Sequence, residues 1–196
     1  SYPGDKIDDG DDLDGKTLTQ QVGDVLVTVK TPGKSDLETE FSDEDIYVGT
    51  LDDDVSSKSS LLSEANDHDV GKYEIGFDTP VEDVTFTISD IDANVGYVQV
   101  LAYDESGNAI PVDISVLDPS KSGDLQVGPD GKITELNQDT DDADNPTQAA
   151  TISIPGPVSR IEIVHAADGS GQSDINISDI HIGSVPGDPA AGDDDL

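Results

Sequence analysis

Cysteine, methionine and tryptophan are absent from this 196-residue chain, and lysine and arginine together number only 9. Without cysteine the protein can have no disulfide, no thiol nucleophile and no zinc site built from thiolates. The sequence also lacks a signal-peptide core and any apolar run long enough for a membrane-spanning helix. Because there is no initiator methionine, we expect a module taken from a longer chain.

Acidic residues dominate what is present: 44 Asp and Glu give a formal charge of −35. Such a chain repels nucleic acids and anionic membranes, so neither is an expected partner. The acids are 35 Asp and only 9 Glu. Short Asp side chains grouped in loops suit hard cations with oxygen ligands, and they favour calcium over a general high-salt surface.

Apolar residues alternate with polar ones along most of the chain and are bounded by Gly, Pro, Asn and Asp, which indicates short β-strands. We predict an all-β fold, a jelly-roll-like two-sheet β-sandwich with calcium-binding loops. The nine predicted strands are Asp24 to Thr31, Ile46 to Val48, Gly71 to Phe77, Val84 to Ser89, Tyr97 to Tyr103, Ile110 to Val116, Ala150 to Ile154, Arg160 to His165 and Ile175 to Ile182.

Three segments fall outside this alternation. Residues 1–16 are an acidic linker or a first calcium loop, residues 17–184 are the sandwich, and residues 185–196 have linker composition. Within the sandwich, Ser56 to Asn66 is predicted as one or two helical turns or as a loop. The acidic stretch Gln138 to Thr147 is predicted as a long solvated loop.

The tetrapeptide Ile-Ser-Asp-Ile occurs twice, at residues 88–91 and 177–180. If the first strand continues with the parity of Phe86 and Ile88, Asp90 and Asp92 point towards the core. Buried carboxylates need compensation, and a metal supplies it better than the few basic residues do. The alternative is that the strand stops at Ser89 and that a solvated turn follows.

In the second copy the apolar parity changes, which predicts a bulge at Asp179. We therefore predict Asp90, Asp92 and Asp179 as calcium ligands, with further oxygens from Asn94, Asp174 or Asn176.

Two other acidic groups have enough oxygens for a cation. One contains Asp9 and Asp11 but lacks EF-hand spacing, because Leu13 stands where an alternate ligand is required. The other is centred on Asp53. Each is predicted as a calcium site, with a charged linker or loop as the alternative.

Signatures of catalysis are missing: the chain has no nucleophile elbow, no His-Glu-x-x-His and no phosphate loop. We therefore expect a protein that is not an enzyme. Tyr97 and Tyr103 have the parity opposite to Val98 and Val100, so we predict that they face outwards and contact a ligand, with packing under a loop as the alternative. Arg160 is the only arginine, and a structural salt bridge is its expected role.

Four stretches between about Val22 and Gly183 resemble calcium-dependent β-sandwich modules of secreted bacterial proteins, and more narrowly the ligand-binding, peptide-binding module of giant RTX adhesins. The stretches are Phe77 to Asp92, Val98 to Asn108, Ile154 to Val158 and Ile175 to Ile182.

The resemblance implies an extracellular module on the bacterial cell surface that holds several calcium ions. One of these would bind the C-terminal carboxylate of a peptide, for adhesion to host cells or biofilm partners. We expect a monomeric module within a larger chain, with no membrane insertion. The alternatives are a calcium-dependent carbohydrate-binding module and a purely structural, calcium-stiffened spacer.

Overall fold

The computed structural model describes residues 7–49, 56–117, 123–136 and 143–186. Within these ranges the chain forms fourteen strands and no α-helix, and no helix is long and apolar enough to cross a bilayer. The strands are β1 Thr17–Val22, β2 Val25–Lys30, β3 Glu38–Ser42, β4 Ser60–Ala65, β5 Val70–Ser89, β6 Val95–Tyr103, β7 Ala109–Ile110, β8 Asp113–Val116, β9 Leu125–Val127, β10 Lys132–Glu135, β11 Ala150–Ile154, β12 Val158–Ala167, β13 Ser173–Ser178 and β14 His181–Ser184.

The strands form two antiparallel layers, so the predicted all-β sandwich is confirmed. The front sheet has the order β1-β2-β5-β12-β6-β10-β9, with β7 also paired to β6. The back sheet has the order β3-β4-β13-β5-β11-β8, with β14 paired to β5 beyond the end of β13. Antiparallel sheets suit this sequence because each strand alternates between core and solvent.

The 20-residue strand β5 belongs to both sheets. Its first half pairs with β2 and β12, and its second half pairs with β11, β13 and β14. Asp83, between the halves, has a left-handed backbone (φ 53°). At this bend Gly183 of β14 comes so close that an added Cβ would lie 2.7 Å from Asp83 Cβ. A glycine is therefore required where β14 crosses the bend.

The core consists of the inward residues of both sheets, which alternate as the sequence predicts. The inward-facing residues of β5 include Tyr73 and Ile75 in the half that belongs to the front sheet and Phe86 and Ile88 in the half that belongs to the back sheet. All four are almost completely buried. Strands β6, β11 and β12 add further β-branched residues to the same cluster: Val98, Val100, Ile152, Ile154, Ile161 and Ile163.

Hydroxyls and one imidazole form polar contacts between the sheets. His165 of the front sheet contacts Ser63 Oγ through Nδ1 (2.9 Å) and Ser173 Oγ through Nε2 (2.8 Å), and both serines belong to the back sheet. Thr39 Oγ1 and Tyr73 OH form a similar pair at 2.8 Å. Burial lowers the pKa of His165 to about 4, so the ring is neutral at pH 7.

Several predicted elements were wrong. The segment predicted as helical turns or a loop, Ser56 to Asn66, contains strand β4, because Leu61 packs against the core from a position paired with Ile177. Ile46 to Val48 is not a strand: Ile46 N donates to Ser57 O (2.9 Å) and Tyr47 N to Ala143 O (3.1 Å), which are single loop contacts.

Other predicted strands differ in their boundaries. Gly71 to Phe77 and Val84 to Ser89 are halves of β5, whereas Ile175 to Ile182 is divided into β13 and β14, and Ile110 to Val116 into β7 and β8. The sequence did not predict β1, β3, β9 or β10. These four strands are short, and β1 and β3 have too few inward apolar residues to show a period of two.

Candidate cation site

Two loops lie side by side at one end of the sandwich: the β5–β6 turn (residues 90–94) and the β12–β13 loop (residues 168–172). They meet because β6 pairs with β12 and β13 pairs with β5. Asn94 joins them through three hydrogen bonds. Asp168 N donates to Asn94 O (3.0 Å), Asn94 Nδ2 donates to Gln172 O (2.8 Å), and Ser170 Oγ donates to Asn94 Oδ1 (2.8 Å).

The predicted inward orientation of Asp90 and Asp92 is wrong. Strand β5 ends at Ser89, and Asp90 has a left-handed backbone with φ of 62°. This conformation reverses the alternation, so that Ile91 is completely buried and its N–H donates to Gln148 O at 3.0 Å. Asp90 and Asp92 are therefore only half-buried, in the turn that was the alternative interpretation.

Three half-buried carboxyl groups form what we call the carboxylate cluster: Glu64, Asp92 and Asp174. Burial raises the pKa of all three. The negative charge of Asp174 raises the pKa values of Glu64 and Asp92 further. Gln172 Nε2 donates to both Glu64 Oε1 and Asp174 Oδ1, the latter at 3.2 Å, so the amide lies between two acids.

No lysine, arginine or histidine forms an ion pair with the cluster within the described part of the chain. The basic residues pair elsewhere; Arg160, for example, contacts Glu162 at 2.7 Å, the predicted structural salt bridge. The charge of Lys34 and hydrogen bonds from Asn94 N and Gln172 lower these pKa values in part, but burial and mutual repulsion outweigh them. A proton or an external cation would relieve the remaining repulsion. In the same described ranges no three carboxylates or histidines converge as a ready set of metal ligands.

Four of the predicted ligands lie at this end of the sandwich: Asp90, Asp92, Asn94 and Asp174. Asp179 does not, because it follows the last residue of β13 whereas Asp174 is near the first. Its carboxylate accepts a hydrogen bond from Ser59 Oγ (3.0 Å), just before β4. The predicted bulge at Asp179 is a complete interruption between β13 and β14.

The residues of the predicted N-terminal calcium site lie along the edge of β3. Asp9 Oδ1 accepts from Asp43 N (3.2 Å), and Asp11 Oδ2 accepts from Asp8 N (2.9 Å), while the main chain of Asp11 pairs with Phe41. These carboxylates therefore already bind main-chain donors. Asp53 lies outside the described residues.

Tyr97 and Tyr103 lie on the outer face of the front sheet, opposite in parity to the buried Val98 and Val100. Each ring is covered by a cation: Lys132 Nζ is 4.2 Å from the Tyr97 centroid, and the Arg160 guanidinium carbon is 4.3 Å from the Tyr103 centroid. This face is separate from the loops of the carboxylate cluster. Its contact with a ligand remains a prediction.

Sequence reasoning missed Glu64 and Asp168. Glu64 was hidden because its segment was not recognised as a strand, and only the pairing of β4 with β13 places it opposite Asp174. Asp168 begins the Asp-Gly-Ser-Gly-Gln turn, and its Oδ1 accepts a hydrogen bond from Ser170 N (2.7 Å). Its proximity raises the pKa of Asp92.

Comparison with known proteins gives little. No protein-family profile matches the chain, and no curated protein matches it. Among solved structures, the chain is similar to the crystal structure of the bacteriophage CBA120 tailspike protein 4 enzymatically active domain, with 10% sequence identity and a TM-score of 0.40. The match covers 80% of this chain but 19% of that one, and a similarity this low supports no conclusion about function.

Proposed function

We propose that this protein is a non-catalytic, calcium-dependent ligand-binding module of a bacterial surface adhesin, in which a bound calcium ion captures the C-terminal carboxylate of an exposed peptide. The carboxylate cluster is the observation that carries the proposal: three half-buried acids with raised pKa values and no ion pair among the described residues. Oxygen ligands of this kind are those that calcium prefers.

The charge of the whole chain supports the same mechanism. A protein with a formal charge of −35 repels an anionic ligand, and a bound cation is the simplest way to recruit one. The cluster is at the loop end of the sandwich, where a ligand from solution can approach it. Extracellular calcium is sufficient even for a weak site, because sites on extracellular modules have dissociation constants on the order of 10⁻⁴ M.

The first test is a calcium titration followed by calorimetry and thermal unfolding. Calcium should stabilise the wild-type protein by on the order of 2 kcal/mol at saturating concentration, since it binds only the native state. Asp174→Asn should melt at a higher temperature than wild type in a chelator, because repulsion is relieved, and should lose the stabilisation by calcium.

Asp113→Asn is the matched control, because Asp113 is exposed on the edge strand β8 and has no part in the cluster. It should retain the full calcium effect. Equal calcium effects in all three proteins would contradict the proposed site, and no calcium effect in wild type would contradict the proposed function.

The second test is directed at the ligand. A peptide panel with free and amidated C-termini is screened with calcium and with a chelator. We expect binding only of peptides with a free C-terminus, and only when calcium is present. Binding to a glycan array instead would identify a carbohydrate-binding module, and calcium-dependent stability without any ligand would identify a structural spacer.

A further inference from the structure

An apolar cleft of about 690 Å³ opens between the sheets at the edge formed by β1 and β2. The β1–β2 hairpin forms one wall, and β4 with β14 forms the other. Its floor is the core itself, where Tyr73, Ile75 and Ile163 line the deepest part. The volume lies within the range of small-molecule binding sites, which is roughly 300–1,000 Å³.

At the cleft, part of the inner face of the β1–β2 hairpin is left uncovered. Leu18 and Val22 of β1 pair with Val29 and Val25 of β2, so their side chains are on the inner face of the front sheet. Inner-face residues are normally covered, yet Val22 is 39% exposed and Leu18 is only partly buried. On the opposite wall Ile182 is also only partly buried.

The lining of this apolar space also contains polar groups. Asp179 is the only carboxylate among the described residues that line the cleft, and Ser59 Oγ holds it by a hydrogen bond of 3.0 Å. Ser178, Gln20 and His181 also belong to the lining. The cleft thus combines an apolar interior with one carboxyl group among its described lining residues, and burial raises the pKa of that group.

We propose that this cleft binds a small amphiphile, with its apolar tail between the sheets and its cationic head at Asp179. An apolar pocket with a few convergent polar groups is the usual form of a small-molecule site. The sign of the head group follows from the carboxyl group of Asp179 and from the net charge of the chain, both of which favour a cationic head over an anionic one. This site is remote from the carboxylate cluster and does not depend on calcium.

Three probes with the same decyl tail test the proposal: decyltrimethylammonium, decanol and decyl sulfate, all in a chelator. The two ionic probes are used below their micelle concentrations, and decanol below its solubility limit. We expect saturable one-to-one binding by calorimetry in the order cationic, neutral, anionic. Affinity should rise about fourfold for each methylene added to a shorter cationic homologue, since the tail is buried. Absence of saturable binding for all three would overturn the proposal.

Two variants test the binding of the apolar tail and of the cationic head group separately, and each has a matched control. Leu18→Trp fills the cleft and should abolish binding of both decanol and the cation, whereas Leu26→Trp, on the outer face of the same hairpin, should not. Asp179→Asn should weaken the cation about fivefold and leave decanol unchanged. Asp113→Asn should change neither.

Thermal unfolding verifies that each variant is folded. An equal loss of cation affinity in Asp179→Asn and Asp113→Asn would mean that only the net charge attracts the probe, and would overturn the placement of the head group. Binding that survives Leu18→Trp would place the tail elsewhere on the molecule and overturn the site.

Discussion

At the scale of single residues, the backbone of Asp90 decides which side chains enter the core. A left-handed residue reverses the alternation after Ser89 and buries Ile91 in place of a carboxylate. Asp and Asn tolerate this conformation better than other residues with a Cβ, and a β-branched residue tolerates it poorly.

We therefore expect Asp90→Val to be less stable than Asp90→Gly by about 1–2 kcal/mol in urea unfolding. Both variants lose the polar side-chain contacts of Asp90. The difference between them therefore reports the conformational preference of the backbone, reduced by the larger entropy that Gly loses on folding. Equal stability of the two would show that the left-handed conformation is not required.

The lowered pKa of His165 makes the stability of the folded protein depend on pH. Its pKa is about 4 in the folded protein and about 6.5 in the unfolded chain, so below pH 6.5 the unfolded state binds more protons. Stability should fall as the pH is lowered from 6.5 towards 4, by roughly 3 kcal/mol in total from this group. Above pH 6.5 the imidazole is neutral in both the folded and the unfolded state, so this loss of stability does not occur there.

The carboxylate cluster acts in the opposite direction, because acids with raised pKa values gain stability on protonation. The contribution of His165 is therefore measured as the difference between wild type and His165→Gln across this pH range. A histidine chemical-shift titration of the wild type provides a second measurement. A His165 pKa near 6.5 would contradict the prediction.

At the scale of elements, the crossing of β14 over the bend of β5 depends on a glycine. Gly183→Ala should destabilise the protein by about 1–3 kcal/mol, because the new Cβ would overlap Asp83 Cβ. Gly76→Ala is the control: Gly76 lies in β5 and has no atom within 4 Å of an added Cβ. That variant should be as stable as wild type or up to about 1 kcal/mol more stable. Matching effects of the two substitutions would contradict this account of the crossing.

The elements also show what a single sequence can predict. Strand β11, which alternates strictly, was predicted to the residue, because burial of one face imposes a period of two. The predicted strand Arg160 to His165 lies within β12, which extends two residues further at each end. Strand β4 was not predicted. Ser60 and Ser63 are polar but buried, so polar and apolar residues do not alternate along this strand.

The candidate site was predictable only in part. Acidic turns next to strands are visible in the sequence, so Asp92 and Asp174 could be singled out. Which turns meet depends on strand pairing: Asp179 and Asp174 are five residues apart in the chain but at opposite ends of β13. Glu64 joins the cluster because β4 pairs with β13, which places Glu64 opposite Asp174. The hydrogen bond between Gln172 and Glu64 joins residues that are 108 positions apart in the chain.

At the scale of the whole molecule, three of the few basic residues lie together on one face. Lys30, Lys72 and Arg160 form ion pairs with Glu74 and Glu162 on the outer face of the front sheet, and all of these pairs except Arg160–Glu162 join two strands. These pairs satisfy acids of the front sheet, so the remaining surface keeps most of the negative charge.

Screening by salt should therefore stabilise the protein even in a chelator. The Debye length falls from about 30 Å to about 8 Å between 0.01 M and 0.15 M salt, which weakens repulsion between distant acids. We expect the urea midpoint to rise equally with sodium chloride and with choline chloride. A rise with sodium alone would indicate ion binding in place of screening, and no rise with either would contradict the prediction.

Strand β5 has a mechanical consequence. Because its two halves are hydrogen-bonded into different layers, a tensile load applied along this strand is shared by both layers at once. The layers cannot peel apart one after the other while β5 is intact, so a force ramp in an optical trap should record one rupture and not two.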